Sequence, residues 1–341
     1  MPTSPSPARV VFLGGLGRSG TTLLERLLGE VPGVAALGEV AHLWARGVLA
    51  DEACGCGEPF GACPFWRKTG ERAFGGWSGE RAGRMLALGR RVDRTRWIPA
   101  LARLLAEERA GVGTWPPGAP APDGWERPGA EPGVRARRSG RLPDLGEYAA
   151  VYRRLYDAAA EVADCPVVVD SSKHASLAFC LAAAGVDVHV VHVVRDPRAV
   201  AHSWQRRVTR PEDGTPMTHW SPARTSLHWL AQNLGLELLA RRGVPVTRIR
   251  YEDLLADPAR TLRRLAAGVG VRPRLDFLRS GTAELSAAHT VSGNPMRFTA
   301  GRVELVRDDG WRTAAPLRHR RLVTALTWPL MIRYDYPWRF A

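Results

Sequence analysis

Arg18-Ser19-Gly20-Thr21-Thr22 has the residue types to hold a phosphate. It follows Val10-Val11-Phe12-Leu13-Gly14-Gly15, a β-branched apolar run that stops at glycines, and precedes Leu23, Leu24, Leu27 and Leu28 at helical spacing. A strand, a glycine turn and a helix in that order leave the first helical amides without backbone partners, at the positive end of the helix, where an anion is well placed. Gly15 to Gly20 has the G-x-x-x-x-G spacing of the nucleoside-triphosphate loop. Thr21, however, stands where that loop needs lysine, and the basic residue, Arg18, lies inside the turn. A cradle with its cation moved in this way suits a phosphate-bearing donor other than a magnesium nucleoside triphosphate. The competing reading is a structural glycine turn of an α/β protein. A second pair, Arg195 and Ser203, follows the apolar run Val188–Val194. A guanidinium at the carboxyl end of a strand and a hydroxyl two turns along the next helix can hold a second phosphate, or can equally be a salt-bridging arginine and a plain helix serine.

The run Gly17-Arg18-Ser19-Gly20-Thr21-Thr22-Leu23-Leu24 resembles the 5′-phosphosulfate-binding loop of sulfotransferases that use 3′-phosphoadenosine-5′-phosphosulfate (PAPS). In that family an arginine ending a strand and a serine eight positions later hold the 3′-phosphate, the spacing of Arg195 and Ser203. The resemblance implies that Gly17, Arg18, Ser19, Gly20, Thr21 and Thr22 bind the 5′-phosphate. It also implies a lysine donating to the sulfuryl group or the bridging oxygen, here Lys173 in Asp170-Ser171-Ser172-Lys173-His174. Breaking the S–O bond puts negative charge on the leaving phosphate, and preorganised cations such as Arg18 and Lys173 stabilise that charge without a metal. For the base that takes the acceptor proton, Glu39 resembles the glutamate of tyrosylprotein sulfotransferases. His174 is the rival, because cytosolic sulfotransferases place a histidine shortly after the lysine. The late run Ala288-His289-Thr290-Val291-Ser292-Gly293-Asn294-Pro295-Met296-Arg297-Phe298 resembles a loop that folds over the nucleotide, with Arg297 reaching a phosphate.

These residues need strands whose carboxyl ends converge, and the chain supplies them. Apolar runs at Val10–Leu13, Val34–Leu37, Pro166–Asp170, Val188–Val194 and Val246–Arg250 alternate with helical stretches at about 81–109, 145–162, 174–184, 222–241 and 258–267. A further helix leads from Glu39 to about Leu49. The expectation is an α/β fold: a doubly wound parallel sheet of about five strands flanked by helices, P-loop NTPase-like as the resemblance implies. It forms one domain over residues 9–341, after a disordered tail at 1–8 and around a flexible Pro/Gly/Arg-rich insert at about 111–143, which lacks the apolar content to offset its ordering entropy.

The expected reaction moves a sulfuryl group from PAPS to a hydroxyl, with an amine less favoured, releasing adenosine 3′,5′-bisphosphate. The acceptor is a small molecule, a secondary metabolite or a glycan. A kinase-like phosphotransferase and a nucleotide- or nucleic-acid-binding module without catalysis are the alternatives. The formal net charge of +14 keeps the last one open, but the arginines are scattered rather than gathered in a stripe, so no nucleic-acid partner is expected. No window reaches the length of a membrane span, Leu322–Ile332 being interrupted by Pro329, and the opening residues lack the apolar core of a secretory signal. The expected location is the cytoplasm, with no membrane partner. Only Lys68 and Lys173 are lysines. Cys54, Cys56 and Cys63 cluster in one turn, but a structural zinc wants four ligands and the nearest histidine in sequence is His42. The expectation is therefore no metal, the cysteines packing as small apolar residues. Trp44, Trp66, Trp204, Trp220 and Trp229 are candidates for an apolar acceptor site or for the core.

Overall fold

Strand β1 (Arg9–Gly14) is buried at every position after Arg9. Val10 and Phe12 enter one core and Val11 and Leu13 the other, as the two-residue period of a strand requires. The computed structural model describes residues 7–111, 143–206 and 218–339 of the chain. Within it β1 is the middle of a five-stranded parallel sheet with β2 (Val34–Gly38), β3 (Val167–Lys173), β4 (Val188–Val194) and β5 (Val246–Arg250), in the order β2-β3-β1-β4-β5. All five strands stand where the sequence predicts them.

Helices cover both faces, which lets a parallel sheet be apolar throughout. On the Val11 face lie α1 (Thr21–Gly29), through Leu24 and Leu27, and a later helix, Pro258–Gly268, through Leu262 and Leu265. On the other face lie α2 (Pro64–Phe74), α3 (Gly79–Val92), α4 (Ile98–Gly111), α5 (Pro143–Ala163) and α6 (Ala175–Ala183). Next come α7 (Pro197–Gln205), α8 (Pro222–Arg241) and α9 (Tyr251–Ala256), then α10, the Pro258–Gly268 helix, α11 (Trp311–Ala314) and α12 (Leu317–Arg333). Asp196 caps α7 through Arg198 N–H, and Asp257 caps α10 through Arg260 N–H, as the two Asp-Pro helix starts predict.

Four differences from the sequence reading have physical causes. The helix expected over 81–109 is two helices, because Asp93 leaves the helical path to accept hydrogen bonds from Ser176 Oγ (2.5 Å) and Tyr148 OH (3.1 Å) on two other elements. Ala8, assigned to a disordered tail, is buried and donates its N–H to Asp157 Oδ1 at 2.9 Å. The segment after Glu39 is a 3₁₀ turn (Val40–His42) followed by a π-helical stretch (Leu43–Leu49), a form that recurs beside functional sites. A small antiparallel sheet, β6 (Leu278–Arg279), β7 (Thr282–Leu285) and β8 (Gly301–Glu304), was not expected at all. Residues 1–6 of the expected tail and 112–142 of the expected insert lie outside the described residues. Among the described residues no helix is long and apolar enough to cross a membrane.

Candidate active site at the carboxyl edge of the sheet

Strand order sets the site. Following β2, β3, β1 and β4 at their carboxyl ends come Glu39, Lys173, the Gly15–Gly20 loop and Arg195, so the predicted residues lie side by side although they are scattered along the chain. At the inter-strand spacing of about 4.8 Å, three steps separate the Glu39 strand from the Arg195 strand by roughly 14 Å.

The loop is joined to both neighbours through its backbone. Gly14 pairs in register with Lys173, Gly15 N–H donates to the Lys173 carbonyl at 3.1 Å, and the Arg18 carbonyl accepts from Arg195 Nη1 at 3.1 Å. Gly20 has φ +91°, and a Cβ there would lie 2.4 Å from the Tyr251 ring, so no other residue fits. No side chain caps the N-terminus of α1, and the Ser19 hydroxyl is buried without a hydrogen-bond partner. An open helix N-terminus beside an unsatisfied buried hydroxyl is the arrangement an anion completes. Thr21 and Thr22 begin that helix and are buried beside it.

The two proposed cations hold left-handed backbones, Arg18 at φ +74° and Lys173 at φ +71°. Such conformations in non-glycine residues cost energy and persist where the surroundings fix them. Arg18 lies over the Trp204 ring at 5.7 Å, and Trp204 in turn donates Nε1–H to the Gly17 carbonyl at 3.0 Å and stacks on Trp220 at 4.0 Å. Burial, followed by Arg206, pushes the Arg18 guanidinium below its usual value, and Glu39 pulls it back.

Lys173 Nζ donates to Glu39 Oε1 and, at 3.1 Å, to the Ser171 carbonyl. Glu39 Oε2 lies 3.6 Å from His42 Nε2. Burial alone would raise the Glu39 carboxyl, but Lys173, His42 and His174 together outweigh it and leave the group below the usual carboxylate range. His174 occupies the N-cap position of α6 without a side-chain capping bond, is exposed, and meets the His42 ring edge-on at 6.3 Å. Both candidate bases therefore stand by the same lysine.

What holds Glu39 is visible only in the fold. Gly38 has φ +88° and sits against Val291, whose carbonyl would be 2.2 Å from an added Cβ. Glu39 N–H donates to that carbonyl at 2.8 Å, and Val291 N–H donates to Leu37 at 2.9 Å. Beneath the turn, Gly38 N–H donates to Glu25 Oε1 (2.5 Å), and Ser171 Oγ donates to Glu25 Oε2 (2.9 Å). Ala41 N–H donates to Ser172 Oγ (2.8 Å), which itself donates to Asp170, and Tyr156 OH donates to Asp170 Oδ2 at 2.7 Å. Burial pushes Glu25 up to about 7 and Asp170 up to about 6, each opposed by its hydroxyl and amide donors. In the sequence Glu25 stands only as an acidic residue beside Arg26 among the leucines of α1.

Arg195 is buried, donates from Nη2 to Asp308 Oδ2 (3.3 Å) and the Asp308 carbonyl (3.4 Å), and lies over the Tyr251 ring at 4.4 Å. Ser203 is half-buried near the C-terminal end of α7, next to Trp204. Arg297, expected to reach a phosphate, lies in the loop that carries Val291. It is buried within its own loop, where its guanidinium donates to the Thr290 carbonyl at 3.0 Å and its carbonyl accepts from Arg26 Nη1 at 2.5 Å. These bonds make it a brace of the loop that carries Val291. Of the tryptophans, Trp44, Trp66 and Trp229 are core residues, and Trp204 and Trp220 border the loop.

No family model matches the chain, and no curated protein matches it. Among solved structures it is similar to the sulfotransferase domain of the Synechococcus PCC 7002 olefin synthase, at 21% identity and a TM-score of 0.44 over 98% of each chain. It is also similar to the sulfotransferase domain from the curacin biosynthetic pathway, at 15% identity and 0.48 over 98% of this chain and 99% of that one. A sulfotransferase from Alicyclobacillus acidocaldarius matches at 14% identity and 0.39 over 98% and 100%. All three are sulfotransferases, the family that the motifs of this chain resemble.

Proposed function

We propose that the chain is a PAPS-dependent sulfotransferase acting on a hydroxyl, or less readily an amine, of a small molecule such as a secondary metabolite or a glycan. The observation that carries this reading is the uncapped N-terminus of α1 with the orphaned Ser19 hydroxyl, flanked on one side by the Glu39–Lys173 pair and on the other by Arg195. The residues present suit the donor, because two separate anion positions lie on adjacent strands and neither needs a metal. When bound, the donor supplies an electrophilic sulfuryl group and a phosphate leaving group. The amides of Ser19 to Thr22 and the Ser19 hydroxyl hold the 5′-phosphate, and Arg195 with Ser203 holds the 3′-phosphate. Arg18 and Lys173 face the charge that grows on the leaving oxygen. Lys173 turning to that charge releases its hold on Glu39, which takes the acceptor proton on a carboxylate oxygen.

The test is Glu39→Gln, assayed by release of adenosine 3′,5′-bisphosphate from the donor in an acceptor screen. Turnover is expected to fall by roughly 10² to 10⁴-fold, the usual weight of a general base, with donor affinity nearly intact. Unchanged turnover would move the base to His174.

A further inference from the structure

Three cysteines that look like packing residues in the sequence meet a histidine from the far end of the chain. Cys54, Cys56 and Cys63 lie in one turn, and His289 enters it from the loop after β7. The ligand atoms all fall within 4.8 Å of one another. Cys63 Sγ is 3.6 Å from Cys54 Sγ, 3.8 Å from Cys56 Sγ and 3.3 Å from His289 Nδ1, and Cys54 Sγ is 3.9 Å from that nitrogen. A tetrahedral ion with Zn–S near 2.3 Å and Zn–N near 2.05 Å has edges of about 3.8 Å between sulfurs and about 3.5 Å between sulfur and nitrogen. The four separations given lie within about 0.4 Å of those edges, and the other two are under 4.8 Å. All five cysteines of the chain are free thiols, so the short sulfur separations are not disulfides.

We propose that Cys54, Cys56, Cys63 and His289 bind one zinc ion in a closed structural site. The sequence expectation of no metal looked for the fourth ligand near the turn, whereas the fold supplies a candidate from 226 residues beyond Cys63. Three thiolates and one imidazole in a tetrahedron select zinc among the common cations. Surrounding geometry fixes the ligands. The His289 ring stacks on Phe65 at 5.2 Å with an 11° interplanar angle, which turns Nδ1 to the sulfurs. Cys54 N–H donates to the Glu58 carbonyl at 2.7 Å and Gly57 N–H to the Cys54 carbonyl at 2.8 Å, closing the turn into a knuckle. Cys63 stands at the N-cap of α2, whose positive end favours a thiolate.

With four protein ligands no position is left for water or substrate, so the ion does not take part in the transfer chemistry. It ties the knuckle to the loop that supports Glu39. Gly55 N–H already donates to the Thr290 carbonyl at 2.9 Å, and Val291, one residue further, accepts the Glu39 amide.

The experiment uses the full chain, purified without chelator and under reducing conditions, with metal content measured by mass spectrometry. About one zinc per chain is expected, released in step with the titration of three thiols by an organomercurial, with cobalt replacing it to give the absorption of tetrahedral thiolate coordination. Cys63→Ser and His289→Ala are expected to lose the metal, and chelation of wild-type protein is expected to lower Tm and expose the 286–298 loop to protease. Failure to take up zinc or cobalt when fully reduced would overturn the proposal, as would a Cys54–Cys63 disulfide in fresh protein or unchanged zinc content in both variants. Iron with sulfide in place of zinc would also overturn it. None of these readouts depends on sulfotransferase activity.

Discussion

At the scale of residues, the chemistry of the site turns on which group dominates around Glu39. Burial favours its neutral form and the Lys173 ammonium favours its charged form, and in wild type the cation wins. Glu39 is therefore charged down to below the usual carboxylate range, and kcat/KM should hold as pH falls until that depressed value is crossed. In Lys173→Met burial is opposed only by His42 and His174, so the acid limb of the pH–rate profile should move to higher pH. The rate itself should fall by about 10² to 10³-fold for the lost transition-state cation. An acid limb left where it was would mean that another group sets it. Glu25 carries the opposite sign. Its folded value of about 7 lies above the unfolded value near 4.3, so the native state binds the extra proton and stability falls as pH rises between about 4 and 7. Glu25→Gln retains an acceptor for Gly38 N–H and should flatten that slope in urea melts taken across this window. A slope as steep as wild type would show that Asp170 or another buried acid is responsible.

At the scale of elements, the site is a property of strand ends. Arg195 leaves β4 with its guanidinium shared between the Arg18 carbonyl and Asp308. Replacing it with Ala should weaken adenosine 3′,5′-bisphosphate by about ten- to hundredfold, the range for hydrogen bonds to a charged group, and leave adenosine-5′-phosphosulfate nearly unaffected. Equal losses for both nucleotides would sink the 3′-phosphate assignment. Asp308 lies against the same guanidinium as an internal anion, with a side chain 46% exposed. Asp308→Asn should therefore tighten the bisphosphate by up to about fivefold, the worth of a partly exposed ion pair, in the same titration. Weaker binding would mean that Asp308 positions Arg195 instead of competing for it.

Five strands, the loop and both Asp-Pro helix starts were legible in the sequence because each is a local pattern: apolar runs, glycines and caps a few residues apart. The network that holds Glu39 was not, since Glu25, Ser171, Asp170 and Val291 meet only through strand order, which no local spacing encodes. The same reason hid His289 from Cys54, Cys56 and Cys63, and hid the bond by which the Arg297 guanidinium braces the Thr290 carbonyl. Asp93 broke a helix that Leu86, Leu101 and Leu105 alone would continue, because its partners Ser176 and Tyr148 lie on other elements.

At the scale of the whole molecule, the order β2-β3-β1-β4-β5 divides labour along one edge of the sheet. On the proposed reading the acceptor is served from the β2 and β3 ends and the nucleotide from the β1 and β4 ends, with the transferred group between them over Lys173 and Arg18. The same edge without lysine at Thr21 is poorly equipped for a magnesium nucleoside triphosphate. Calorimetric titration of the full chain with adenosine 3′,5′-bisphosphate, and in parallel with ATP and Mg²⁺, separates the two most directly. Micromolar binding of the bisphosphate with little or none of Mg·ATP is the predicted result, and preference for Mg·ATP would contradict the assignment of a sulfuryl donor.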